Sequence, residues 1–277
     1  MAPSNATDTS PVRSFRLATH PVRSLHAPVN RGEAGDADAL DWTCGLHRTG
    51  KRSMTALILS ATVWIALHLG LAGTRLRDRV VARVGENGFR AGFSLLSVVS
   101  ISLLVRCFNV SPTAQLWVAP DWLRWLLLVL MLPAFLLFFG AVLVPSPTAV
   151  GGRLDATATG TLRVTRHPML WGFALWALLH MAGNGNSAAL LFFGAFAVTA
   201  LAGMPSIDAK LARRDPVQWQ AFAATTSILP FGAILAGRNR LSWREIGWLA
   251  PLLAVLAWAI LLYLHPHLFG VYAVPPT

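Results

Sequence analysis

The chain has 277 residues; 55% are hydrophobic and only 13% are charged, about half the charged share of a soluble domain. Several apolar runs approach the roughly 20 residues that cross a bilayer, which excludes an ordinary soluble protein and predicts an all-α, polytopic membrane helix bundle. The net charge of +11 falls in short segments between these runs, as orientation signals do. No basic helix or aromatic sheet motif accompanies it, so we expect no nucleic-acid partner.

Residues 1–53 differ in composition from the rest of the chain. They are rich in Ser, Pro, Ala, Asp and Arg, lack periodicity and hold no apolar core of a signal peptide, which predicts a disordered tail. The first apolar run begins at Met54. An alternative is therefore that translation starts near Met54. In either case we expect the membrane domain to cover residues 54–272.

About six transmembrane helices are expected from the apolar runs. They are predicted at about 55–73, 91–108, 122–144, 168–183, 188–204 and 246–264. The run 222–236 is also apolar, but it is short and broken by Pro230 and Gly232. It is expected to form an interfacial or re-entrant segment rather than another span, following an amphipathic cytoplasmic lid that begins near residue 203.

The basic residues lie in alternate connections between the predicted helices. The connections 74–90, 145–167 and 205–245 are rich in Arg, whereas 109–121 and 184–187 contain no Lys or Arg. Positive charge marks the cytoplasmic side, so these three connections are expected to face the cytoplasm of a bacterial inner membrane. Membrane lipids are the expected surroundings, and the sequence sets no oligomeric state.

His68 and His180 lie well inside the first and fourth predicted helices. Either is explained by a hydrogen bond to a helix carbonyl, but ionisable residues within membrane spans are often functional. His68 lies ~21 Å from the outer start of its helix and His180 ~18 Å from the inner start of an antiparallel one. In a ~30 Å core the two lie within roughly 10 Å of one another in depth, an offset that a tilted porphyrin could absorb. A haem b iron held by both imidazoles is therefore geometrically compatible with the sequence, and these two residues are the predicted catalytic and metal-ligating pair.

Three further residues are predicted to contact a cofactor. Arg75 follows His68 by seven residues, two helical turns, which suits a haem propionate; a plain orientation signal is the alternative. Arg166 and His167 precede Pro168, a favourable first residue of a helix, and make a cationic cluster for an anionic group or a membrane-edge anchor. Asp208 is the acid expected to meet this cluster.

Several motifs together resemble the NnrU family of bacterial membrane proteins, which is linked to denitrification and nitric oxide metabolism and to which plant and cyanobacterial 15-cis-zeta-carotene isomerases are similar. The resemblance covers about residues 54–272. Its motifs are HLGLAGTRLR, NGFRAGFSLLS, RVTRHPMLWGFALWALLHMAGNGNS, GMPSIDAKL and TTSILPF.

The resemblance implies a haem b between two histidines, because the isomerase holds its haem in that way. His68 and Arg75 match the isomerase's first-helix motif, and His180 matches its second ligand. The isomerase has a cysteine three residues before that ligand, where this chain has Ala177. A haem protein of nitric oxide or denitrification metabolism is the first expectation, with nitric oxide as a ligand. Carotenoid cis–trans isomerisation is the alternative.

A second resemblance concerns the RHP motif alone. Isoprenylcysteine and phospholipid methyltransferases carry RHP, a nearby glycine and a downstream acidic segment with tyrosines. Gly172, Asp208, Trp219 and Phe222 fall roughly at those positions, with a shorter acid and no tyrosine. A short motif gives this methyltransferase alternative little weight. A cofactor-free membrane module that only binds a partner is a further alternative.

Overall fold

The computed structural model of the chain describes residues 54–144, 146–148 and 158–275. The tail predicted at residues 1–53 lies outside the described residues. Within the described ranges the chain is helical and forms no β-strand. The predicted class, an all-α membrane helix bundle, is confirmed.

Nine α-helices follow one another in the described residues. They are α1 (Met54–Ile65), α2 (Arg75–Val110), α3 (Asp121–Leu143), α4 (Pro168–Asn184), α5 (Ser187–Arg214), α6 (Pro216–Thr225), α7 (Gly232–Leu235), α8 (Trp243–Ile246) and α9 (Leu249–Phe269). A π-helix, Ala66–Leu71, extends α1, and a 3-10 turn, Gly160–Arg163, precedes α4.

Five of the described helices are long and apolar enough to cross a membrane: α1 with its π-helix, α2, α3, α5 and α9. The fourth predicted span is α4, whose 17 residues measure about 25 Å, against a hydrocarbon core of roughly 30 Å. The run 222–236 contains the end of α6, a non-helical turn and the four-residue α7. It is too short and too irregular to form a span.

The basic connection predicted at residues 74–90 is helical in the structure. Thr74 caps α2 by accepting a hydrogen bond from the Leu76 amide, and Glu86 pairs with Arg77 and Arg90. These pairs and the cap favour helix where charge density alone suggested a loop. Gly85, at φ 77°, changes the direction of the chain before the apolar part of α2.

α5 is the central helix of the bundle. Of its apolar window, 44% is buried, against 11–22% in the other four spans. It packs against α4 on one side and against α1 and α2 on the other, while α3 joins α4 to α9. α5 also continues ten residues beyond the predicted end at residue 204, so most of the expected lid begins as the last turns of a packed helix.

The predicted turn between the fourth and fifth helices is confirmed. α4 ends on Gly185, whose φ of 59° is left-handed and is readily adopted only by glycine. Asn186 then caps α5, because its Oδ1 accepts a 2.8 Å hydrogen bond from the Ala189 amide. α4 and α5 are therefore antiparallel neighbours. The end of the bundle opposite this turn, around Arg166–Pro168, is called the RHP end below.

Candidate functional site: two membrane imidazoles and the RHP end

His68 lies in the π-helix at the end of α1. The wider turn is visible in the Ala72 amide, which donates to the Leu67 carbonyl at 3.2 Å, five residues back. Single π-turns are rare and often occur at functional sites. The His68 Nδ1 lies 2.9 Å from the Trp64 carbonyl oxygen. Because a carbonyl only accepts, Nδ1 carries the proton, and Nε2 of the neutral ring keeps its lone pair.

His180 repeats this arrangement on α4. Its Nδ1 lies 2.8 Å from the Trp176 carbonyl oxygen, one turn earlier, so Nε2 again keeps the lone pair. The imidazole stacks on Phe193 of α5, with ring centroids 4.7 Å apart. An imidazole whose Nδ1–H is held by a backbone carbonyl is oriented as metal-ligating histidines are.

A continuous series of aromatic contacts links the two imidazoles. Trp64 lies 3.9 Å from His68 by ring centroids and 4.9 Å from Phe196. Phe196 lies 5.3 Å from Trp176, which in turn lies 5.2 Å from His180. Helical side chains lean toward the helix N-terminus. Because α1 and α4 are antiparallel, both imidazoles lean toward the level of Phe196 on α5.

Trp64 also contributes an unusual polar atom to this aromatic series. The residue is 9% exposed, and its Nε1–H is enclosed with no acceptor among the described residues. An unpaired buried donor costs roughly 1–3 kcal/mol. The surroundings of His68 therefore include a buried hydrogen-bond donor, the Trp64 Nε1–H, without an acceptor among the described residues.

Arg75 does not share a helix with His68, contrary to the prediction. The chain leaves helical geometry between the π-helix and α2, and Thr74 is extended at φ −115°, ψ 176°. The two-turn spacing therefore does not place both side chains on one face. Arg75 is the first residue of α2 and is exposed; a role in cofactor binding stays a prediction without that geometric support.

His167 is bonded to Asp208, the acid predicted to meet the RHP motif. The His167 Nε2 donates to Asp208 Oδ1 at 2.7 Å, and the His167 side chain is 0% exposed. The anionic group beside Arg166 and His167 is thus the Asp208 carboxylate of α5. His167 Nδ1 is enclosed and has no partner among the described residues.

Arg166 lies on the other oxygen of the same carboxylate. Its Nε is 3.6 Å from Asp208 Oδ2, and its guanidinium carbon lies 5.2 Å from the centre of the Trp219 ring. Burial lowers the pKa of the Arg166 guanidinium, Asp208 opposes that change, and the nearby charge of Arg238 adds to it.

The segment 226–231 holds the RHP motif in place. The Arg166 amide donates to the Ser227 carbonyl at 2.9 Å, and the Phe231 amide donates to the Val164 carbonyl at 2.7 Å. Thr165 and Trp171 both donate to the carbonyl of Ile228, at 2.7 and 2.8 Å. The sequence motif TTSILPF therefore works as a backbone clamp on residues 164–171.

Arg163, three residues before Arg166, pairs with a residue outside the RHP motif. Its Nε and Nη2 each lie 2.7 Å from a different oxygen of Glu245, and the Gly160 amide donates to the same carboxylate at 3.0 Å. This two-point pair ties the turn before α4 to α8. These bonds remove Arg163 from the charge balance around Arg166.

The positions that suggested a methyltransferase have packing roles. A Cβ at Gly172 would lie 2.9 Å from the Ala134 carbonyl oxygen, so this glycine permits close approach of α4 and α3. Trp219 and Phe222 are 9% and 4% exposed and pack with Leu162 and Leu211. They are buried in protein.

Comparison with known proteins identifies the family. The family model described as NnrU protein matches residues 56–273. The chain belongs to the NnrU family. No solved structure matches it, so the relationships of this NnrU chain come from sequence.

Two curated plant relatives are similar to this NnrU chain. The chloroplastic 15-cis-zeta-carotene isomerase of Arabidopsis thaliana is 28% identical over 225 residues, which are 78% of this chain and 60% of that protein. The chloroplastic enzyme of the same name from Zea mays is 29% identical over 194 residues, 67% of this chain and 52% of that protein. The chain thus spans between half and two thirds of each relative's length.

Sequence reasoning found the histidines and Asp208, but not the groups that surround them. The π-helix, Phe196 and the unpaired Trp64 Nε1 were missed. In each of the two histidine-bearing helices, a tryptophan precedes the histidine by four residues. This repeated W-x3-H spacing was the sequence signal that could have indicated the tryptophans beside His68 and His180.

Proposed function

We propose that this chain is a membrane-embedded cis–trans isomerase acting on a carotenoid-type polyene. The observation that carries the proposal is the similarity to two plant proteins named 15-cis-zeta-carotene isomerase across most of the chain. Membership of the NnrU family and a bundle with five membrane-length helices are compatible with a lipid-soluble substrate.

Haem b is the proposed cofactor, with His68 and His180 as its iron ligands. Each imidazole has its Nδ1–H occupied by a backbone carbonyl and its Nε2 without a partner among the described residues, which fits the chemistry of an axial ligand. The unpaired Trp64 Nε1 beside His68 also fits a site that receives a further group. When bound, haem iron supplies a redox-active Lewis acid that lowers the barrier to rotation about a polyene double bond.

The chain's own side chains have two parts in this proposal. The backbone bonds to Trp64 and Trp176 orient the imidazoles. The rings of Trp64, Phe196 and Trp176 offer flat apolar surfaces for a polyene or a porphyrin to pack against, and they exclude water. Ala177 is fully buried within the same cluster, so this isomerisation would proceed without a thiol at that position.

The deciding experiment uses purified full-length chain in detergent, loaded with haem and reduced, and given 15-cis-zeta-carotene. Isomerisation changes no atom count, so the product has the same mass and a different chromatographic retention and absorption spectrum. We expect conversion that His180→Ala abolishes and that His267→Ala, on the exposed end of α9, leaves intact. Absence of turnover by a haem-loaded preparation would contradict the isomerase proposal.

The role in nitric oxide or denitrification metabolism remains a prediction from the family resemblance. The same haem-loaded preparation tests it, because ferrous haem that binds nitric oxide gives a changed absorption spectrum. Nitric oxide binding without any conversion of the carotene would favour that role over isomerisation.

A further inference from the structure

Arg166 at the RHP end has hydrogen-bonding capacity that the described residues do not use. Its side chain is only 13% exposed, yet none of its five N–H groups has a hydrogen-bond acceptor in the part of the chain that the structure describes. Among the described residues, the Arg166 Nε is enclosed and has no hydrogen-bond partner.

The guanidinium is also held in one position. Trp219 supports one face of the planar group at 5.2 Å, an arrangement that attracts a cation to the ring. Asp208 lies 3.6 Å from Nε, but that carboxylate already accepts the 2.7 Å bond from His167. Asp208 thus positions Arg166 without saturating its donors.

A second arginine, Arg238, is fixed beside the first. Its Nη1 donates to the carbonyls of Ala223, Ala224 and Thr226, at 3.1, 2.9 and 2.8 Å. The residue after Thr226, Ser227, accepts the Arg166 backbone amide at 2.9 Å. Both arginines are therefore attached to the same short segment. Arg238 Nε and Nη2 have no partner among the described residues.

The local charge is unbalanced. Arg166 is paired with Asp208, and the Arg163 charge is neutralised by Glu245. Arg238 has no carboxylate partner among the described residues. A guanidinium offers paired N–H donors in a fork that matches the oxygens of a phosphate. α4 begins at Pro168, directly after Arg166 and His167, and the ends of membrane helices lie near the lipid phosphates.

We propose that Arg166 and Arg238 form a binding site for a phosphate group at the RHP end, separate from the two membrane imidazoles. The phosphate comes either from the headgroup of an anionic lipid or from a soluble phosphate. Arg166 supplies N–H donors that have no acceptor among the described residues, Trp219 holds the planar guanidinium in position, and Arg238 supplies the second charge. This site does not depend on the proposed isomerase activity.

The test measures phosphate binding by the full-length protein purified in detergent. Inorganic phosphate is titrated and followed by calorimetry. In parallel, mixed micelles of phosphatidylcholine with phosphatidic acid are added, and retained lipid is counted by native mass spectrometry. Binding of inorganic phosphate would identify a soluble ligand as sufficient; retention of phosphatidic acid without binding of inorganic phosphate would identify the lipid headgroup. Either result supports the site.

Substitutions distinguish the site from general attraction to positive charge. Arg166→Gln should weaken binding about tenfold or more, because hydrogen bonds to charged groups contribute that much. Arg213→Gln is the matched control, because Arg213 is exposed in the last turn of α5 and its substitution removes the same charge. This variant should change binding less than twofold. If the Gln variant does not fold, Arg166→Lys keeps the charge but loses the fork and should still weaken binding.

Two results would overturn the proposal. One is wild-type protein that binds no inorganic phosphate and retains no more phosphatidic acid than phosphatidylcholine. The other is equal loss of binding in Arg213→Gln and the Arg166 variants, which would show that net charge alone attracts the ligand.

Discussion

His167 and Asp208, which are 41 residues apart, meet at the RHP end through a 2.7 Å hydrogen bond between Nε2 and Oδ1. The contact joins the residue that precedes α4 to the last part of α5. Because the carboxylate accepts, Nε2 of the histidine donates, and Nδ1 has no partner among the described residues. The same carboxylate orients Arg166.

Asp208→Asn is expected to destabilise the protein. The amide still offers an oxygen to His167, but the negative charge is lost. That charge compensates the buried Arg166 and strengthens the hydrogen bond to the imidazole. A buried hydrogen bond to a charged group contributes roughly 1.5–3 kcal/mol, so the thermal midpoint in detergent should fall. Asp78→Asn, at a residue whose side chain is 61% exposed, is the control and should leave the midpoint nearly unchanged. Equal midpoints for both variants would contradict a stabilising role of the pair.

His68→Ala and His180→Ala should each alter the spectrum of haem-loaded protein. If both imidazoles ligate one iron, loss of either removes an axial ligand and converts a low-spin spectrum to a high-spin one, or releases the haem. Absorption spectra of oxidised and dithionite-reduced protein provide the measurement. His267→Ala is the matched control, because within the described part of the chain this histidine has only a ring contact, with Tyr263 at 6.2 Å between ring centroids. Unchanged spectra in both single variants would refute the ligand assignment.

Gly172→Ala should destabilise the contact between α3 and α4. The added methyl group would lie 2.9 Å from the Ala134 carbonyl oxygen and 3.3 Å from the Phe138 amide nitrogen, and backbone atoms cannot move aside cheaply. Overpacking of this kind costs roughly 1–3 kcal/mol. Gly194→Ala is the matched control within α5, where a methyl group meets nothing within 4 Å. Gly194→Ala should be neutral or slightly stabilising in thermal unfolding. If its thermal midpoint fell as far as that of Gly172→Ala, the packing explanation would be contradicted.

Acidification should remove the contribution of Glu245 to stability. The hydrogen bonds from Arg163 and from the Gly160 amide lower the pKa of Glu245 below its ordinary value of 4.5. A lowered folded-state pKa means that the folded state binds fewer protons than the unfolded state, so the contribution is present above about pH 4.5 and is lost as pH falls through the lowered pKa. The difference in thermal midpoint between wild type and Glu245→Gln should shrink as the pH is lowered from 6 to 3. A constant difference over this range would show that the carboxylate charge is not involved.

Local patterns in the sequence were sufficient for much of this architecture. Apolar runs of membrane length predicted the helices, because burial of hydrophobic side chains and satisfaction of the backbone are decided over about 20 consecutive residues. The short gap between the predicted helices at 168–183 and 188–204 placed the turn that joins α4 to α5. The acid expected to meet His167 was Asp208, and the structure confirms that contact.

Other features differ from the sequence-based prediction even though the residues involved lie close together in the chain. Arg77, Arg90 and Glu86 read as a charged loop, but their pairing makes that segment helical. The spacing of His68 and Arg75 suggested one helix face, but the π-helix and the break at Thr74 separate them.

By itself, the sequence determined that the chain forms apolar helices of membrane length and where most of them turn, since these properties depend on neighbouring residues. The tertiary structure alone decided that α5 packs against both histidine-bearing helices, that Phe196 links their tryptophans, and that Arg166 and Arg238 share one anchoring segment. Those arrangements follow from packing between residues far apart in the chain, and local periodicity carries no information about which helix a side chain will meet.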